Sequence, residues 1–553
     1  MTTATARHSR PATTAVPRGG NHLAGTGALV RFILRRDRVR IPVWVAALGL
    51  TTIGTAASFP DLYATAEDRQ ARAALMSANP TSVAMSGPGY GVDDYTYGAM
   101  LSNEMLGYVA IFAALMSVLM IIRHTRAEEE TGRAELVRAA VVGRYAHVTA
   151  ALIAVVGTNL ALGLLIAVGL GGSGIESIGW SGSFLYGAAV ASVGIVFAGV
   201  AAVTAQVTEH ARGASGMAGA VIGVAFALRA AGDIGNGALS WLSPIGWAQA
   251  TRVYVDDRWW PLGIAVVAAA LLVVCAFALS RRRDVGAGLI AQRPGPASGT
   301  RFLGTPIGLA LRLQRANLIG WAIALFVFGA VYGQLIGEVE TFSSENETLN
   351  DFLPEISGAT LIDSFVALIV SLLAMVCSIY AVQATLRLRG EETAGRAEPV
   401  LSTALSRTRW MLSHATVALV GSSVILALSG VGLGVSAAAT LSEPSLFGDV
   451  VGATLAYLPT LWVTVGLATA LFGVVPQATA AAWAVIVYAL SIGMLGNLLQ
   501  VPAWMFDISP FTHVPPLPGA ELTWTPLIVL TAVAAALISI GIAGFRRRDV
   551  YTN

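Results

Sequence analysis

Twelve apolar runs, each long enough to cross a lipid bilayer, set the architecture open to this chain. They fall near residues 41–59, 105–122, 148–170, 184–206, 214–231, 260–280, 318–337, 365–384, 412–440, 450–473, 479–497 and 524–545. A hydrocarbon core about 30 Å thick takes roughly 20 residues at about 1.5 Å each. Backbone groups immersed in it must be paired within the structure, which leaves helices or closed barrels, and runs of this length predict helices. With 55% hydrophobic and 12% charged residues and a mean hydropathy of +0.69, the chain of 553 residues has too little charge to cover a water-facing surface. The predicted fold class is all-α integral membrane, with twelve transmembrane helices.

All 34 basic residues are arginine. Without lysine there is no P-loop, whose lysine reaches the nucleotide phosphates, and no Schiff-base chemistry. The chain by itself is therefore not a Walker-type ATPase. Cys275 and Cys377 each sit alone in an apolar run and predict reduced thiols rather than a metal or redox pair. The seven histidines show no ligand spacing, so we expect no catalytic residue, no metal and no cofactor held by this chain.

Arginine also orients the spans. With a cytoplasmic N-terminus, 29 arginines fall in inside segments, four outside (Arg69, Arg72, Arg252, Arg258) and one, Arg229, within a span. The positive-inside rule then predicts both termini in the cytoplasm of a multi-pass inner-membrane protein. Segment 338–363, with seven carboxylates and no arginine, is consistent with an outside loop. Residues 1–27 lack periodicity and predict a disordered cytoplasmic tail, with no apolar region of a cleaved signal peptide.

The halves repeat. GEETAGRAEPV at 390–400 follows AEEETGRAELV at 127–137 with an offset of 263, and RRRDV stands at 281–285 and again at 546–550. Ser243-Pro244 recurs as Ser509-Pro510, while Arg38 and Trp44 match Arg315 and Trp321 at an offset of 277. Six spans per copy keep both copies in one orientation, a parallel duplication. The boundaries this suggests are 28–285 and 306–553 for the two halves, with a cytoplasmic linker at 286–305.

The polar stretch after the second span of each half carries the strongest functional signal. Glu129 and Arg133, and Glu392 and Arg396, are spaced to pair on one helical face. Glu128, Gly132 and Glu135 share an adjacent face, as do Glu391, Gly395 and Glu398. One copy alone is compatible with a solvated loop, but the same acid–Gly–Arg–acid order in both points to a docking element. This E-E-x-x-G-R-x-E pattern, followed by Val142 to Arg144 and Leu405 to Arg407, resembles the coupling helix of ABC type-2 permeases. The whole chain after its tail is similar to fused twelve-span permeases of actinobacterial polyketide-antibiotic and multidrug exporters of the tetronasin type. The resemblance implies a type V exporter fold, coupling helices at about 127–140 and 390–404, and two copies of a separate ATPase on the cytoplasmic side, which bind the ATP and magnesium. Pro399 stands where the first copy has Leu136, so the two docking sites need not be equivalent.

Segments 29–40 and 306–317 mix apolar and basic residues ahead of the first and seventh spans, as interfacial amphipathic helices or as extensions of those spans. Loops 232–259 and 496–523, rich in Gly, Pro and Trp, predict short helices on the outer side, either anchors or a gate. Arg229 either snorkels to headgroups or meets an acidic substrate; with Trp44 and Trp321 it is a candidate for the substrate path. The expected partners are the ATPase, membrane lipid and a hydrophobic small molecule, with no nucleic acid. Two functions follow: the permease of an ATP-driven exporter of bulky amphipathic compounds, or a twelve-span ion-coupled efflux carrier. The carrier would need ionisable groups at mid-membrane, whereas Glu104, Glu209, Asp363 and Asp449 all sit at span ends.

Overall fold

The computed structural model describes residues 22–78, 80–133, 135, 142–283, 288–289, 298–339, 360–495 and 502–549. Most of the N-terminal tail, the acidic segment from 340, much of the linker at 286–305 and the end of the first coupling segment lie outside these residues. The chain divides into two compact units, Met1–Pro294 and Gly295–Asn553. Every regular element among the described residues is helical, and 12 helices are long and apolar enough to cross a membrane. They coincide with the runs read from the sequence.

In the first unit a short helix, α1 (Thr26–Arg36), precedes the first span, α2 (Arg40–Leu62). Two short helices, α3 (Ala66–Ala78) and α4 (Pro80–Ser86), lead to the second span, α5 (Tyr97–His124), and to α6 (Arg126–Glu130). Spans three to six are α7 (Ala146–Gly171), α8 (Trp180–Val207), α9 (Ala211–Ile234) and α11 (Pro261–Arg282), with α10 (Pro244–Gln249) before the last. The second to fourth spans are mostly buried, whereas the first, fifth and sixth are mostly exposed. That exposure carries no penalty in lipid, which is as apolar as the side chains it meets.

In the second unit the first span is α12 (Pro306–Leu335), a single helix of 30 residues. Segment 306–317 is therefore the start of a span and not a separate helix, unlike α1. The second span, α13 (Leu361–Thr393), is followed by α14 (Ala397–Leu401), and the third is α15 (Arg407–Leu441). The fourth joins α16 (Ser445–Leu455) to α17 (Leu458–Val474), the fifth contains α18 (Ala482–Leu495), and α20 (Trp524–Arg547) is the sixth. The short α19 (Ala503–Ile508) lies before it. Helices α12 and α15 cross closely because Gly329 and Gly333, spaced four apart, leave the backbone bare. A Cβ on Gly329 would lie 2.3 Å from the carbonyl oxygen of Ser429. Small residues at such crossings are how lipid-embedded helices gain packing without a hydrophobic driving force.

The repeated Ser-Pro pairs have a local explanation. Ser243 accepts a hydrogen bond from the amide of Ile245 and Ser509 from that of Phe511, each with proline next in line. Serine at the cap and proline in the first turn start a helix at a fixed point.

Candidate functional site

The repeated E-E-x-x-G-R string does not form one continuous helix. Gly132 and Gly395 have φ of +73° and +68°, a left-handed conformation that glycine adopts without cost. In the second unit the amide of Gly395 donates to Glu392 O and that of Arg396 to Glu391 O, both at 3.0 Å. This pair of bonds is the Schellman closure of a helix C-terminus. In the first unit the amide of Gly132 donates to Glu129 O at 3.1 Å in the same way. The glycine is in both repeats because it ends the helix before it, α6 in the first unit and the second span in the second, and turns the chain into the coupling segment.

That break overturns the expected pairing of Glu129 with Arg133 and of Glu392 with Arg396 along one helical face. Glu129 instead meets Arg126 at 2.6 Å and Arg283 through two bonds of 2.8 Å. Glu392 meets Arg548 at 2.6 and 3.0 Å and Arg389 at 3.2 Å. Arg283 and Arg548 are the third arginines of the two RRRDV strings. Two motifs that the sequence shows as separate repeats are thus one site in each unit, both terminal nitrogens of the guanidinium fork gripping the two carboxylate oxygens. Glu129 and Glu392 are 3% and 0% exposed at their side chains, so the ion pairs are interior and not decoration.

Further residues converge on the end of the sixth span. Arg144 donates to the carbonyls of Ser280 and Arg281, and Arg407 to that of Arg548, satisfying carbonyls left open where a helix stops. In the second unit the Arg548 guanidinium also lies over the rings of Phe472 and Phe545, at 4.9 and 5.0 Å, a cation–π seat.

The remaining motif residues divide by exposure. Glu391 is buried and takes Arg387 and Arg396, each at 2.7 Å. Its hydrogen bond raises the pKa of the Arg396 guanidinium. Glu128 is buried too and meets Arg36 of α1. These acids therefore do not lie on an open docking face. Arg133 and Glu135, and Gly395, Arg396 and Glu398, are exposed, with Gly132 half-buried. The open surface begins just before the glycine in both copies, at Glu130 and at Thr393.

Arg229 neither snorkels nor stands free for an acidic substrate. It is 1% exposed, pairs with Asp233 at 3.3 Å and donates to the carbonyls of Ala84 and Met85 at 2.5 and 3.3 Å. It closes the C-terminal end of α4, where Gln249 also holds Ser86 O at 2.8 Å. Arg72 binds Glu104 through bonds of 3.0 and 3.2 Å, so the segment carrying α3 and α4 is fastened at both ends. Trp44 is half-buried against the core of its unit, and the Trp321 indole donates to Gln383 at 3.2 Å. An apolar cavity of about 580 Å³ in the second unit lies between the fourth and sixth spans, lined among others by Leu455, Pro459, Trp462, Trp524 and Leu527. Among the described residues no group of three or more His, Cys, Asp or Glu could hold a metal ion.

The sequence is 40% identical to the multidrug efflux system permease protein Rv1217c of Mycobacterium tuberculosis over 98% of both chains. The sequence model described as multidrug efflux system permease Rv1217c, C-terminal domain, matches residues 28–281 and 303–546. These segments begin with the residues that lead into each first span and end at the first arginine of each RRRDV string, so they include Glu129 and Glu392 and stop two residues short of Arg283 and Arg548. By this match over most of its length, the chain belongs to the family of the Rv1217c multidrug efflux permease, of ABC type.

Proposed function

We propose that this chain is the membrane-spanning subunit of an ATP-driven exporter that moves bulky amphipathic compounds, drugs or lipid-like molecules, out across the inner membrane. ATP and magnesium are bound by a separate ATPase, two copies of which dock from the cytoplasm, one on each coupling segment. Both termini face the cytoplasm, and the two halves are parallel six-span repeats of a type V exporter. The observation that carries this reading is the pair of arginine–glutamate sites: each fastens an exposed loop to the last span through a buried fork, a suitable route for force. The name of the mycobacterial relative supports drug efflux, and the apolar cavity suits a hydrophobic compound. An ion-coupled carrier has less support, since the buried charges described here lie at span ends and are already paired.

Coupling requires that nucleotide bind the inward- and outward-facing states with different affinity. The test is purification of the tagged chain from cells that express the whole efflux system. We expect an ATPase subunit to accompany it in two copies per chain, and ATP turnover to vanish when that subunit is removed. Ethidium efflux that follows the ion gradient and ignores ATP depletion would place the chain among carriers instead.

A further inference from the structure

In the first unit, two more polar links hold the corner that leads into the first span, one to the coupling segment and one to the end of the second span. Arg36, the last residue of α1, meets Glu128 of α6, with side chains 24% and 12% exposed. One residue on, Asp37 is 1% exposed, lies 2.6 Å from His124 Nε2 and 3.5 Å from Arg123 Nε. The corner between α1 and α2 is thus tied to the end of the second span and to the helix that follows it.

The second unit lacks the residues for both links. The offset that carries Arg38 onto Arg315 carries Arg36 onto Leu313 and Asp37 onto Gln314. Leucine offers nothing to a carboxylate, and Glu391 takes Arg387 and Arg396 instead. Gln314 is buried with neither amide atom hydrogen-bonded. No corner separates a leading helix there, because α12 runs unbroken from Pro306.

We propose that Arg36 is a positioning residue that makes the first coupling segment move the first span together with the sixth, with Asp37 holding the corner to the end of the second span, whereas the second segment has no such link to its own first span. The two ATPase inputs are then unequal. This rests on the coupling reading proposed above. Displacing α6 without the corner would leave the buried Glu128 carboxylate without Arg36, which is disfavoured, while Asp37 holds the corner to the end of α5. In the second unit the fork from Arg548 to Glu392 ties the motif to the sixth span, and Ala397 packs in a cluster with Trp410, Phe472 and Phe545, none of them on the first span.

The test uses the complete efflux system with ethidium as the transported probe and R36L, which writes the residue of the second half into the first. We expect maximal ethidium-stimulated ATP turnover and efflux to fall about fivefold or more, with the KM for ATP and the amount of bound ATPase unchanged. The swap R36E/E128R should restore at least half of the loss, and R35L, one residue away on an exposed position, should export normally. If R36L does not accumulate, the nearly isosteric Glu128→Gln carries the same expectations. Hydrogen exchange on the purified chain gives a readout that needs no ATPase: R36L should speed exchange at residues 126–131 and leave 389–396 unchanged. Full-rate export by R36L, loss of bound ATPase in parallel with turnover, failure of the swap, or unchanged exchange at 126–131 would each overturn the proposal. Absence of any ATPase from the wild-type complex would strike the exporter reading instead, and the exchange measurement would still decide the linkage.

Discussion

The chemistry of this chain rests on a few residues whose type is fixed by geometry. Arg548 fills three roles at once: it forks onto Glu392, lies over Phe472 and Phe545, and donates to the Phe472 carbonyl at 3.3 Å. Arg548→Leu leaves a buried carboxylate short of its main partner, and we expect a loss of about 3–5 kcal/mol of stability. Thermal unfolding of the purified chain in detergent measures it. Arg548→Lys keeps the charge without the fork or the planar stacking, so it should fall between leucine and wild type. Gly395→Ala is a cleaner case. A Cβ there meets no atom within 4 Å, so the expected cost of about 1–2 kcal/mol comes from the left-handed backbone alone. An alanine variant as stable as wild type would mean that the helix end relaxes into another closure.

At the scale of elements, the coupling segments combine a buried root and an exposed tip. The root includes Glu128, Glu129, Glu391 and Glu392, and changing it damages the fold as well as any partner contact. The tip includes Glu135 and Glu398, both exposed, and is the right place to test docking. Charge reversal at these two positions should leave membrane insertion intact, because surface substitutions usually stay within about 0.5 kcal/mol. It should weaken ATPase co-purification strongly, since a mispaired interfacial charge costs several kcal/mol. Reversed variants that bind and export at the wild-type level would reduce the tips to solvated loops.

The segment holding α3 and α4 makes a second element-scale case. Arg229→Met removes the closure of α4 and leaves Asp233 with Ser240, which donates to it at 2.6 Å. We expect limited proteolysis within residues 63–90 to accelerate, with the spans themselves protected. Equal cleavage in variant and wild type would show that Arg72 and Glu104 suffice to hold the segment.

For the whole molecule, the arginine distribution makes the orientation testable without reference to any transport assay. A reporter active only outside the cytoplasm, fused after Asn553, should stay silent, and one inserted in the α3–α4 segment should be active. The reverse pattern would undo the topology and with it the placement of both docking segments. The buried second, third and fourth spans recur in both units, surrounded by mostly exposed first, fifth and sixth spans. The spans that lead to the arginine forks are thus peripheral in their own unit, and the forks fasten them to the coupling segments.

The sequence by itself determined the twelve helices, because length and apolarity decide what a bilayer accepts whatever the tertiary contacts. It also showed that E-E-x-x-G-R, RRRDV and Ser-Pro matter, because each occurs at corresponding places in both halves. Only the tertiary structure decided the partners. Arg283 lies 154 residues from Glu129 and Arg548 lies 156 residues from Glu392, and helical spacing speaks only for neighbours three or four residues away. The same limit hid the closure of α4 by Arg229 and the link from Arg36 to Glu128. The strict repetition of both motifs at nearly equal offsets, 263 and 265 residues, was the one signal that they belong together. What it lacked was the physical contact, which arises only when the sixth span returns beside the end of the second and a buried carboxylate must find a cation.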